Sequence, residues 1–256
     1  MKKYIILIIV FLIPLVAITI FSFCEKEISF WGITIEKAKI ASYFKNKNDN
    51  LSLDSTTNKI LKKDTIINDT NKQRILFFGD SMLEGLGSRM RYYATENGHE
   101  LCNVIWYSST SKVWGENIDT LKHFIKEFNP TYIFICLGAN ELFVKDLDKR
   151  EECVKTIIAC IDTIPFIWIG PPNWKDDTGI NDIILRNVGK YKYFPSKRLK
   201  YARSSDGAHP TRASANMWLD TVAVWVKDSI NHRILMNKPK EGLKPSGNVI
   251  VLQPLK

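Results

Sequence analysis

Three short segments of this chain carry residue types that can do nucleophilic chemistry on a carbonyl group. Ser81 lies in a Gly-Asp-Ser sequence just before a helix predicted to begin near Leu83, and a helix N-terminus favours developing negative charge. Asp206 precedes His209 by three residues, so its carboxylate can hold one imidazole nitrogen while the other faces a nucleophile. Asn140 can donate its amide to an oxyanion. Taken alone, each segment is equally typical of helix capping.

The elements around these segments are predicted to bring them together. Short apolar runs rich in aromatic or β-branched residues lie at 75–78, 102–107, 132–137 and 165–170. Their continuous hydrophobicity is typical of strands that are buried on both faces of a parallel sheet. Apolar residues at three- and four-residue spacing predict helices that include 118–128, 154–161 and 217–226. The alternation predicts an α/β domain whose ligands bind at the carboxyl ends of the strands.

The segments also resemble a known family. Residues 75–81, 138–141 and 206–209 are similar to blocks I, III and V of the SGNH, or GDSL, hydrolase superfamily, and the resemblance covers residues 74–231. It implies a three-layer α/β/α sandwich with a parallel, flavodoxin-like sheet, and serine esterase or acyltransferase chemistry without a metal or a cofactor. Carried over to this chain, Ser81 is the nucleophile, His209 the general base and Asp206 its orienting carboxylate.

The same resemblance implies an oxyanion hole. Two of its donors would be the backbone N–H of Ser81 and the side-chain amide of Asn140. The family's second block adds a backbone N–H, usually from glycine, and the best alignment places Ser111 there, with Gly115 as the alternative. The third block usually ends in aspartate, whereas this chain has Glu141, so the contacts around Asn140 are expected to differ.

Two tryptophans are candidates for contact with a sugar ring. Trp174, together with Asn173, follows the fourth predicted strand, so this loop is expected to border the site. Trp114 is the second candidate. Either tryptophan can instead be a packing residue, because a large aromatic side chain often lies in the core.

Residues 1–24 are predicted to be a membrane anchor. After Lys2 and Lys3, residues 4–23 carry no charge, and a helix of this length spans about 30 Å, the hydrocarbon thickness of a bilayer. A cleaved signal peptide is the alternative, although Ser22-Phe23-Cys24 is a poor cleavage site. The positive-inside rule places the N-terminus in the cytoplasm and the rest outside, or the mature protein is secreted if the segment is cleaved.

Composition divides the remaining chain. Residues 25–73 are predicted to be a juxtamembrane segment and a polar tether, residues 74–232 the hydrolase-like domain, and residues 233–256 a basic, extended tail. Of the formal net charge of +9, Lys2 and Lys3 supply +2 and the tail +4, which leaves +3 for residues 4–232. No basic stripe on the domain is evident, so we expect no nucleic-acid partner.

Together these features predict a membrane-tethered, extracytoplasmic serine esterase. It would remove acyl groups, in particular acetyl groups, from envelope glycans or other small esters. An O-acyltransferase that modifies envelope polysaccharide with the same residues is one alternative, and the sequence does not decide between transfer and hydrolysis. A non-catalytic, envelope-binding domain that keeps the fold is another alternative.

Overall fold

The computed structural model describes residues 66–254, together with two short strands nearer the N-terminus. These strands, β1 (Ile28–Phe30) and β2 (Ile33–Ile35), pair antiparallel and belong to a compact unit of their own. The predicted anchor at residues 4–23 and most of the predicted tether lie outside the described residues. Among the helices that are described, none is both long and apolar enough to cross a membrane.

Strands and helices alternate through residues 66–254. The strands are β3 (Ile67–Asp69), β4 (Arg74–Gly79), β5 (Glu100–Trp106), β6 (Tyr132–Cys136), β7 (Phe166–Ile169), β8 (Tyr193–Phe194), β9 (His232–Ile234) and β10 (Asn248–Leu252). The helices are α1 (Leu83–Asn97), α2 (Ser111–Glu116), α3 (Ile118–Phe128), α4 (Leu147–Ile161), α5 (Ile180–Val188) and α6 (Arg212–Asp228). Short 3-10 helices, Ala139–Glu141 and Ser196–Arg198, follow β6 and β8.

One six-stranded sheet organises this unit. Its strand order is β10-β5-β4-β6-β7-β8, and every neighbouring pair is parallel. The carboxyl ends of parallel strands meet at one edge of the sheet, so the turns after β4, β5, β6 and β7 lie along the same edge. The predicted α/β architecture with a parallel sheet is therefore confirmed.

Helices cover both faces of the sheet, because successive side chains of a strand point to opposite sides. Phe77 of β4 lies in a core with Leu86 of α1 and Trp218 of α6. Phe78, the next residue, lies in a second core with Ile157 of α4 and with residues of α2, α3 and α5. The unit is thus a three-layer arrangement, with two helices on one face and four on the other.

The C-terminal residues differ from the predicted extended tail. β10 lies parallel to β5, with Ile250 beside Val104, and the Trp106 indole donates to the Gln253 carbonyl at 2.8 Å. β9 pairs with β3, which lies before the predicted domain start at residue 74. The folded unit therefore extends beyond 74–232 in both directions. The lysines, prolines and glycines between β9 and β10 indicated an exposed segment. They did not indicate that β10 pairs with the distant strand β5.

Candidate active site

Ser81, His209 and Asp206 form one hydrogen-bonded chain at the carboxyl edge of the sheet. Ser81 lies in the turn between β4 and α1, and the other two lie in the loop that leads into α6. Ser81 Oγ is 2.9 Å from His209 Nε2, and His209 Nδ1 is 2.6 Å from Asp206 Oδ2. The structure thus brings together three residues that are predicted to act as nucleophile, base and orienting acid.

Asp206 determines which imidazole nitrogen carries the proton. Its Oδ1 accepts the backbone N–H groups of Ala208 and His209, each at 2.9 Å. These two bonds, and then the bond to the His209 ring, lower the pKa of Asp206 to about 2. An ionised carboxylate can only accept, so Nδ1 of neutral His209 bears the hydrogen and Nε2 keeps its lone pair. The Ser81 hydroxyl therefore donates to Nε2, as attack by a serine requires.

Arg203 holds the loop that carries Asp206 and His209. Its guanidinium donates to the carbonyl of Ala208 within this loop, and to the carbonyls of Pro172 and Asn173 at 2.7 and 2.8 Å in the loop after β7. One side chain therefore ties two site loops together. Arg203 was not predicted as a site residue. The sequence carries no signal for its role, because its partners are main-chain oxygens, two of them about thirty residues away.

Two candidate oxyanion donors follow neighbouring strands, β4 and β6. The Ser81 N–H has no acceptor within the described part of the chain, and it lies at the N-terminal end of α1. Asn140 lies on the 3-10 helix after β6, is exposed, and donates one amide hydrogen to the Ser109 carbonyl at 2.9 Å. That bond orients the Asn140 amide and leaves its second hydrogen for a ligand.

The predicted role of Ser111 as a third donor does not fit its surroundings. Ser111 is fully buried, and its N–H and hydroxyl both donate to the Glu141 carboxylate at 2.7 Å. An N–H that is committed to a buried carboxylate is not free for an oxyanion. Gly115, the alternative, lies inside α2, where an added Cβ would approach the Cys153 Cβ to 2.6 Å. Glycine there permits close packing of α2 on α4.

Glu141 joins the turn that carries Asn140 to a buried ion pair. Its side chain is fully buried, and Arg150 Nη1 lies 3.3 Å from Oε1. Burial raises the pKa of Glu141, and the hydrogen bonds from Ser111 and the charge of Arg150 oppose that rise. Asn140 and Glu141 are adjacent, so this cluster fixes the start of α2 against the turn that presents the Asn140 amide.

Asp80 is a second buried carboxyl beside the nucleophile. Its Oδ1 accepts the Met82 N–H at 2.9 Å, whereas its Oδ2 has no partner among the described residues. Burial dominates and raises the pKa of Asp80 to about 7, and the negative charge of Glu141 contributes to the rise. The N–H groups of Met82, Ala139 and Gly138 act in the opposite direction. At neutral pH, Asp80 is therefore partly protonated.

Trp114 has the packing role, which is the alternative to ligand contact that the sequence left open. Its side chain is fully buried, with its ring 4.7 Å from that of Phe78 and 5.2 Å from that of Trp106. Its indole N–H donates to the Ser109 hydroxyl at 3.1 Å. Trp114 packs from α2 onto the sheet, so no sugar ring can stack on it.

Trp174 and Asn173 lie in the loop after β7, as expected. Trp174 is half-buried and meets the exposed ring of Phe143 edge to face, with 6.3 Å between the ring centroids. The Asn173 amide donates to Asp177 at 2.9 Å, and its oxygen accepts from Asn181 at 3.1 Å. Asn173 therefore shapes the loop with its side chain, while the Trp174–Phe143 pair offers an aromatic surface that the sequence reasoning had only half identified.

A cavity of about 410 Å³ opens beside Ser81 and His209. Its polar lining includes Glu84 of α1 and Arg212 at the start of α6, so it holds one group of each charge. Tyr107 donates to Glu84 at 3.0 Å. In the described part of the chain, no three His, Cys, Asp or Glu side chains are grouped so as to hold a metal ion. No protein-family model matches this chain, and no curated protein matches it in sequence.

Proposed function

We propose that this protein is a serine hydrolase of the SGNH type that cleaves esters through an acyl-enzyme on Ser81. One observation carries the proposal: the unbroken relay from Ser81 Oγ to His209 at 2.9 Å and from His209 to Asp206 at 2.6 Å. The sheet gives secondary support. Numbered along the chain from β4, the strands β5-β4-β6-β7-β8 have the order 2-1-3-4-5, which is that of flavodoxin-like folds.

In the first step, His209 Nε2 takes the Ser81 proton while Oγ forms a bond to the ester carbonyl carbon. The carbonyl π electrons move to oxygen, and the Ser81 N–H and the Asn140 amide are the groups available to stabilise that oxyanion. Asp206 stabilises the imidazolium that has formed. The C–O bond to the leaving alcohol then breaks, and His209 gives its proton to that alcohol, which leaves the acyl group on Ser81.

In the second step, water attacks the acyl-enzyme with His209 again as base. The proton returns to Ser81 Oγ as its bond to the acyl carbon breaks, and the carboxylic acid leaves. A sugar hydroxyl in place of water would give acyl transfer through the same intermediate. The proposed relay needs only the residues described and a nucleophilic oxygen.

We assign acyl esters, in particular acetyl esters on envelope glycans, as the substrate class. The pair of half-buried Trp174 and exposed Phe143 supports this assignment, because an apolar ring face is a suitable surface for a sugar. The tether by residues 4–23 and the extracytoplasmic location are part of the same proposal and depend on the charge pattern of the N-terminus.

The first test is hydrolysis of 4-nitrophenyl acetate by the full chain, purified in detergent. We expect turnover by the unaltered chain and by a Ser229→Ala control, which removes a serine at the distant end of α6. Ser81→Ala should lose the activity, and equal turnover by that variant would refute the assignment. A phosphonofluoridate inhibitor should label Ser81, and a protein that stays unlabelled and inactive would instead be the non-catalytic binding domain.

A further inference from the structure

The sheet edge formed by β8 is strongly cationic. From Ile183 to Ser205 the chain contains seven lysines and arginines but no aspartate or glutamate. Six of the seven are exposed, and one of these, Arg186, forms an ion pair with Glu151 of α4. The other five lie on the segment that leads into β8 and out of it, and we call them the cationic edge. They are Lys190, Lys192, Lys197, Arg198 and Lys200.

The cationic edge accounts for the whole positive charge of the folded unit. Residues 66–254 contain 25 lysines and arginines and 21 aspartates and glutamates, a net charge of +4. Without the five residues of the cationic edge the count is 20 against 21, or −1. The five cations lie within residues 190–200, and the fold places this segment at one border of the sheet.

Most of these cations have no acidic partner. Lys197 lies 3.4 Å from Asp177, but within residues 66–254 the other four form no ion pair. The Lys190 ammonium lies 4.6 Å from the centre of the Tyr191 ring, and the Lys192 ammonium lies 4.4 Å from that of Phe166. Unpaired charges of one sign raise the local concentration of ions of the opposite sign.

Part of the cationic edge lies at the same edge of the sheet as the candidate active site. Lys197, Arg198 and Lys200 follow β8 at the carboxyl edge of the sheet, where Ser81 follows β4. Three strand spacings separate β4 from β8, about 14 Å at roughly 4.8 Å each. Arg203 then binds the carbonyl next to His209. Lys190 and Lys192 lie toward the other end of β8, so the charge follows a line rather than surrounding one point.

We propose that the cationic edge binds an anionic glycan, a polysaccharide with repeated carboxylate or phosphate groups, and presents its acyl esters to Ser81. The inference rests on the proposed ester hydrolysis for the reaction, and on the cationic edge for binding. A line of separated charges fits an extended polymer better than a small anion. Lysine is a compact point charge that binds carboxylate and phosphate alike, so the shared chemistry is the repeated negative charge.

Binding can be measured without turnover. The full chain with Ser81→Ala is titrated with polygalacturonate and, separately, with long-chain polyphosphate. The edge variant adds Arg198→Glu and Lys200→Glu, and a control variant adds Lys126→Glu and Lys227→Glu, an equal charge change at exposed lysines on α3 and α6. We expect the edge variant to bind the preferred polymer about ten-fold more weakly, a loss that shrinks in high salt, and the control less than about two-fold.

Each outcome decides the inference. The polymer that loses affinity in the edge variant identifies carboxylate or phosphate as the anion. If the edge variant and the control variant lose affinity for the polymer equally, net charge alone explains the loss, and the proposal is overturned. Tighter binding of DNA or of anionic lipid vesicles than of either polymer would assign the surface to a different partner.

A milder variant guards against misfolding. Arg198→Gln with Lys200→Gln should give a smaller loss in the same direction, with an unchanged melting temperature. Activity gives a second measurement in chains that keep Ser81. There, Arg198→Glu with Lys200→Glu should lower kcat/KM for acetylated polygalacturonate more than it lowers kcat/KM for 4-nitrophenyl acetate. If the chain hydrolyses neither ester but the binding difference persists, the proposed function fails while the binding surface stands.

Discussion

The buried carboxyl of Asp80 should make stability depend on pH. Its pKa is raised from 3.8 to about 7, mainly by burial, whereas the same group in the unfolded chain titrates near its ordinary value. Between pH 4 and pH 7 the folded state keeps a proton that the unfolded state has lost, so the free energy of unfolding falls as pH rises through this range. About three pKa units at about 1.4 kcal/mol each give roughly 4 kcal/mol.

Asp80→Asn removes this titration and keeps an acceptor for the Met82 N–H. The absolute stability of the variant depends on how its amide fits beside Ala139, so the informative quantity is a difference. We expect the unfolding free energy of the variant minus that of the unaltered chain to rise by about 4 kcal/mol from pH 4 to pH 8, measured by urea denaturation. Carboxyls common to both chains largely cancel in this difference.

Asp176→Asn is the matched control, because Asp176 is an exposed aspartate in the loop after β7. The unfolding free energy of Asp176→Asn minus that of the unaltered chain should stay within about 0.5 kcal/mol across the same pH range. A difference for Asp80→Asn that is equally flat would show that Asp80 is ionised in the folded state at neutral pH. The reasoning from burial would then be refuted, and the unpartnered Oδ2 would need another explanation.

Three further experiments test the site. Asn140→Ala should lower kcat for 4-nitrophenyl acetate by about 10²–10³-fold. A change confined to KM would show that the Asn140 amide does not belong to the oxyanion hole. Glu141→Gln should lower the free energy of unfolding by about 3 kcal/mol, measured by urea denaturation. Adding Arg150→Met should recover part of that loss, and additive losses would argue against an ion pair between Glu141 and Arg150. Arg203→Met should lower kcat about 100-fold through misplacement of His209, with its downfield imidazole proton resonance weakened; an unchanged resonance would contradict this.

The central part of the fold was accessible from the sequence. Strands covered on both faces need apolar residues at successive positions, so β4, β5, β6 and β7 appear as uninterrupted runs. The helix predicted to include residues 118–128 is α3. The order of the polar segments after strands was equally informative, because topology alone brings Ser81 and Asn140 to one edge.

The parts of the fold and of the site that were not predicted depend on contacts with residues that are distant in sequence. β8 has two residues, too few for a periodic signal, and β10 is a strand only because β5 lies beside it. Trp114 was a candidate for ligand contact or for packing, and it packs, because α2 turns its side chain into the core. Ser111 lies at the start of α2, and the Glu141 carboxylate, distant in sequence, accepts from the N–H that was predicted to serve the oxyanion hole.

The pairing of β3 with β9 has a mechanical consequence. The chain of the first 65 residues enters the folded unit at β3, whose three residues pair with β9 and whose Ile67 N–H donates to the Asn231 carbonyl at 2.7 Å. A pulling force on that chain would therefore load this short ladder before it reaches β4. If the ladder parts, the residues between β3 and β4 add to the length of chain that leads to the sheet.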